Sequence, residues 1–169
     1  GNGQMGEFLE AIADSTSLSI APLILFYKIH YDTIIAQLSV HLIISVIVAF
    51  SCICGVLRLS SFSTLKKQMY FLGLPASVNA LFLVMASFLP IDLWYILPFI
   101  VLFALLMVSP IRFPKQGIKS DLVAAAFIIT AIVLYFLSPN YAPFVLLIGL
   151  ILYIVLGPLS LAMKKKDNQ

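Results

Sequence analysis

Charge is scarce in this sequence, with 10 Lys/Arg and 7 Asp/Glu among 169 residues. Soluble domains are typically about a quarter charged and about half apolar; here 10% are charged, 62% are hydrophobic and the mean hydropathy is +1.11. That leaves too little polar surface to cover a water-soluble fold, so the composition points to an integral membrane protein. Cysteine is equally scarce. Cys52 and Cys54 are the two present, too few for a disulfide framework, and two residues apart on a helix they face different directions. Both read as small buried apolar residues. His41, alone within an apolar run, lacks the second ligand that a metal or proton site would need. No basic patch interleaved with aromatics is present, so the net charge of +3 reads as membrane orientation and headgroup contact, not as a nucleic-acid footprint.

What is abundant is long apolar runs. A membrane helix needs roughly 20 mostly apolar residues, and six stretches qualify as candidates: 8–29, 34–57, 71–89, 93–110, 121–138 and 141–163. Turn and charge signals separate them: "HYD", "RLSSFSTLKKQM", "PID", "PIRFPKQGIKS" and "SPN". The runs are continuous rather than alternating, which excludes transmembrane β-strands. The expected fold is an all-α integral membrane protein of six transmembrane helices, forming one domain over residues 1–169. Pro22, Pro98 and Pro158 fall inside these stretches, where kinks are tolerated if neighbours re-satisfy the backbone.

The basic residues predict the orientation. If the spans alternate, Arg58, Lys66, Lys67, Arg112, Lys115, Lys119 and Lys164 to Lys166 share one side of the membrane, leaving Lys28 alone opposite. By the positive-inside rule that side is cytoplasmic, and so are both termini. Trp94 and Tyr95 then begin a span from the outer side as interface anchors, and His30 and Tyr31 occupy a short outer turn.

One stretch breaks the apolar pattern: "MGEFLEAIADSTSLSIAP", residues 5–22, carries Glu7, Glu10 and Asp14. Gly6, Glu10 and Asp14 are spaced four and four, so at about 100° per residue they lie along one helix face. Glu7 is explained by its place near a helix N-terminus, where negative charge is favoured. Asp14, two turns further in, is not. Two carboxylates one turn apart repel unless something positive lies between them, and oxygen ligands suit a divalent cation such as Mg²⁺ or Mn²⁺. Arg58 at the end of the second stretch, Asn79 near the start of the third and "PIRFPK" after the fourth are expected at the same cytoplasmic level. Carboxylates facing Arg and Lys form the arrangement expected for a phosphate-bearing substrate.

"GEFLEAIADSTSLSIAP" resembles the second half of the CDP-alcohol phosphatidyltransferase signature, D-x-x-D-G-x-x-A-R followed by G-x-x-x-D-x-x-x-D. Gly6, Glu10 and Asp14 fall on the G and the last two acids. "GVLRLSSF", "FLGLPASVNALFL" and "LLMVSPIRFPK" resemble, in order, "GALRLARF", "FIGLPxPAAALLL" and "LMVSxIRFPK" of the phosphatidylserine synthase branch. The two stretches that follow are most similar to archaeal members, the archaetidylserine synthases. The resemblance implies transfer of a phosphatidyl group from a CDP-linked lipid, diacylglycerol or archaeol, to serine with release of CMP. It implies two divalent ions held by carboxylates from neighbouring helices, and a site facing the cytoplasm. Carried over, Asp14 is the catalytic base and a metal ligand, Glu10 a metal ligand, Gly6 the close-approach point for the nucleotide, and Arg58 and Lys115 acceptor or phosphate contacts. The partners implied are the CDP-lipid, serine and membrane lipids, and a homodimer is the assembly the resemblance allows.

Three departures stand beside it. The D-x-x-D-G-x-x-A-R half and the two helices expected around it are not in this sequence; Glu10 replaces an aspartate; Ser61 and Ser77 replace an arginine and a proline. These motivate a competing expectation, a catalytically inactive relative or a partner subunit of such an enzyme. A small transporter with an acidic vestibule is a third.

Overall fold

The structure, a computed structural model, describes residues 2–65, 70–114, 118–138 and 141–166. The first apolar stretch folds as three helical pieces laid end to end: α1 (Asn2–Asp14), a π-helical turn (Ser15–Ile20) and α2 (Ala21–Ile29). Pro22 accounts for the change of winding. A proline ring inside a helix clashes with the carbonyl four residues back. A wider turn relieves that clash, and the Ala21 amide reaches the Thr16 carbonyl five residues back. The hydroxyls of Ser15, Thr16 and Ser17 donate to the carbonyls of Ala11, Ile12 and Ala13 at 2.7, 2.9 and 2.8 Å. The polar run after Asp14 thus gives extra bonds to the backbone where the winding changes.

A short helix, α3 (Tyr31–Ile35), turns the chain into α4 (Leu38–Leu65), which runs antiparallel to the first helix. Two contacts set that register. Tyr27 Oη is hydrogen-bonded to His41 Nδ1 at 2.9 Å, and further toward the N-terminus Ser19 Oγ donates to the Cys52 carbonyl at 3.5 Å. Gly55 lies against Ser19 so closely that a Cβ there would collide with the serine side chain. His41 is therefore a satisfied packing residue. His30 ends α2, its Nδ1 3.0 Å from the Phe26 carbonyl.

The remaining elements are a strand β1 (Tyr70–Leu72), α5 (Ala76–Phe88), α6 (Leu93–Val108), a strand β2 (Arg112–Pro114), α7 (Ile118–Leu137) and α8 (Ala142–Lys166). α4 packs on α6, α2 on α5, and α8 on α5 and β2, with α7 leaning on α8. Phe26, Ile44, Leu83 and Ile100 are fully buried in the shared core, and Phe82 stacks on Phe103 with ring centroids 4.1 Å apart.

Among the described residues the fold is helical apart from one antiparallel ribbon, in which Tyr70 pairs with Pro114, Phe71 with Phe113 and Leu72 with Arg112. The helix expected from residue 71 begins instead at Ala76, because Pro75 precedes it and residues 70–72 are taken by the ribbon. Helix occupies each of the other apolar stretches. Phe8–Ile29 and Leu38–Ser60 are long and apolar enough to cross a membrane, and within α5 to α8 the apolar segments among the described residues run for 10–17 residues. The outside of the bundle is hydrocarbon, with Leu38, Val46 and Phe136 at 74%, 69% and 82% exposure. So extended an apolar exterior is of the kind that a membrane or another protein covers.

Candidate functional site

The register between the first helix and α4 positions the acidic stretch. Ser19 lies against Cys52 and Gly55, so five residues earlier on an antiparallel helix Asp14 comes level with the Arg58 turn of α4. Glu10 is one turn beyond. The two carboxylates share a face, with Cβ atoms of such pairs about 5–6 Å apart. Asp14 is half-buried at the junction with the π turn, and Glu10 is exposed. Gly6 is exposed as well, with no atom within 4 Å of where a side chain would begin. Among the described residues, then, nothing beyond its own helix packs against Gly6.

The described residues contain no group of three or more His, Cys, Asp or Glu able to hold a metal ion. Glu10 and Asp14 are a pair. Lys115 lies outside the described residues, as do Lys66 and Lys67 and the side chains of Glu7 and Arg112.

Arg58 is 7% exposed and donates from Nε to the Leu74 carbonyl at 3.3 Å. That bond begins a chain. The Leu74 amide donates to the Leu106 carbonyl at 2.9 Å, and the Gly73 amide donates to the Ile111 carbonyl at 2.7 Å. The ends of α4 and α6 are thereby tied to the loop that opens α5. Gly73 carries φ of 78°, and a Cβ on it would strike the Met107 carbonyl. A turn this tight against another backbone admits only glycine. Phe113, 1% exposed, completes the knot from β2 by stacking on Tyr153 of α8. Three stretches quoted from the sequence, "GVLRLSSF", "FLGLPASVNA" and "SPIRFPK", therefore meet at one end of the bundle.

One turn inside that end, Asn79 is 1% exposed and its Oδ1 has no hydrogen-bond partner among the described residues; Ser51 Oγ on α4 is likewise buried without one. Buried acceptors of this kind normally mark an ordered water or a bound group. Asn79 stands out in the sequence as a polar residue one to two turns inside an apolar helix. Ser51 does not, since a serine in an apolar helix commonly satisfies itself on the preceding turn, as Ser87 does on the Leu83 carbonyl at 2.7 Å.

No family model matches the chain. It is similar to the CDP-diacylglycerol–serine O-phosphatidyltransferase of Methanocaldococcus jannaschii, with 34% identity over 116 residues, 68% of this chain and 52% of the relative. The chain thus spans about half the length of the curated relative it matches. This distant similarity supports the CDP-alcohol phosphatidyltransferase family.

Proposed function

We propose that this chain carries the acceptor-activating part of a membrane-embedded phosphatidyltransferase that moves a phosphatidyl group from a CDP-linked lipid to serine, releasing CMP. The similarity to the archaeal serine phosphatidyltransferase carries this reading. Its geometric support is the level shared by Asp14, Glu10 and the Arg58 end of the bundle. The apolar exterior supports insertion in the cell membrane, and the concentration of Lys and Arg in three segments supports a site facing the cytoplasm.

In the proposed reaction the Asp14 carboxylate takes the proton from the serine hydroxyl as its oxygen attacks the lipid-bearing phosphorus. The new O–P bond forms as the pyrophosphate bridge breaks, and CMP leaves with the electron pair. A positioned carboxylate is suited to that proton transfer. Mg²⁺ characteristically binds one or two carboxylates together with waters and substrate phosphates, so Glu10 and Asp14 fit the donor count for one ion, Mg²⁺ or Mn²⁺. Bound there, the ion would neutralise charge on the phosphates. Arg58 contributes by holding the Leu74 carbonyl and so the loop that opens α5. The unpartnered Asn79 Oδ1 is an acceptor for a donor group of the substrate or for a water.

The donor set also favours a second reading. The resemblance implies two ions, and the described residues supply carboxylates for one. A subunit whose site is completed by carboxylates from another chain, or a relative that no longer turns over, has this composition. The test is CMP release in liposomes containing CDP-diacylglycerol, serine and Mn²⁺. The 169-residue chain alone is expected to release none. Joined behind the segment of the archaeal relative that bears D-x-x-D-G-x-x-A-R, it is expected to turn over. Asp14→Asn in that chimera should lower the rate by about 10²–10⁴. A folded chimera that binds CDP-lipid but never releases CMP would leave the inactive reading standing.

A further inference from the structure

Between α2 and α4, reaching from Cys52 toward the end of the bundle opposite Arg58, runs a trough of about 360 Å³ with an almost wholly apolar lining. Leu23, Ile24, Val48 and Cys52 line its length, and Lys28 and Tyr31 stand at its far end. Lys28 is the lone basic residue outside the three segments that carry the other nine. It is exposed, and among the described residues it has no ion-pair partner. Asp32, the nearest acid along the chain, is also exposed, in α3.

We propose that this trough seats one hydrocarbon tail of an anionic membrane lipid whose net negative headgroup is held by Lys28. Two features select that occupant. Along the helix the trough extends from Ile20 to Lys28, about 12 Å at 1.5 Å per residue, close to one leaflet's share of a hydrocarbon core roughly 30 Å thick. Its one charge sits at the end where a headgroup would lie, on a side chain able to extend toward the interface. An apolar protein segment or a second copy would match the trough but leave the ammonium without a counter-charge. The inference rests on the bundle spanning a bilayer and not on the transferase reading.

The test places a fluorescent reporter in the trough. The chain has one tryptophan, Trp94, so a Trp94→Phe, Tyr31→Trp protein emits from the trough mouth alone. It is reconstituted in phosphatidylcholine vesicles doped with either brominated phosphatidylglycerol or brominated phosphatidylcholine. Quenching by the anionic lipid at low mole fraction is expected to reflect about fivefold tighter binding, the effect of one basic residue at a charged membrane surface. Lys28→Gln should abolish the preference, and Asp32→Asn should increase it. Equal quenching by the two lipids overturns the proposal, as does a preference that survives Lys28→Gln. Quenching by neither lipid overturns it together with the membrane placement. Loss of quenching with Cys52 cross-linking between copies assigns the trough to a second copy and equally overturns it.

Discussion

The Arg58 end of the bundle and the acidic first helix stand at the same level and are built on opposite terms. At the first, α4, α5 and α6 are tied by backbone bonds from Gly73 and Leu74, by a buried arginine and by a buried Phe113. At the second, Gly6 and Glu10 are exposed, and only Asp14 is half-buried, against the π turn. Arg58, which braces the loop that opens α5, belongs to the first set, and the two carboxylates stand outside it. The difference teaches that the knot at the Arg58 end is tied without the acids, of which Glu10 is left exposed.

Four substitutions can break or sharpen this contrast, all read as unfolding free energy in one detergent or bilayer system. Phe113→Ala should cost the most, about 3–5 kcal/mol, because it empties a fully buried position between the ribbon and α8. Gly73→Ala should follow at about 2–3 kcal/mol, since it forces a side chain into a left-handed turn against the Met107 carbonyl. Gly55→Ala should cost about 1–2 kcal/mol by pushing α4 off Ser19, and part of that loss should return with Ser19→Gly. Glu10→Gln should stay within about 0.5 kcal/mol. A large cost at Glu10 with a negligible one at Gly73 would invert the comparison and make the acidic helix part of the scaffold.

Much of the helical layout was legible in the apolar runs and in the turn signals between them. The acidic face of α1 was legible because period 3.6 places residues four apart together whatever else the chain does. The ribbon was not. Two three-residue strands are too short to show alternation, and their pairing joins Tyr70 to Pro114 across two intervening helices. The nearest local sign was the pair of breakers Gly73 and Pro75, in a stretch read as the opening of a helix. Nor could the role of Arg58 be read. A basic residue at a helix end suggests a headgroup contact, yet here the guanidinium also braces the Leu74 carbonyl, a backbone atom that no side-chain pattern announces. The π turn left a trace in hindsight, three hydroxyl residues shortly before Pro22. Which way α1 faces depended on that turn, and so the surroundings of Glu10 were beyond reach of the sequence.

The widened turn also sets the azimuth of everything upstream of it. Over one π-helical stretch the winding falls behind an α-helix by about one residue, which swings the preceding helix by roughly 100°. α2 is locked by its packing on α5, so the swing is taken up entirely by α1. Restoring ordinary pitch with every residue kept would aim the carboxylates at a different neighbour, whereas removing a single residue between Ser15 and Ser17 at the same time would leave their direction unchanged.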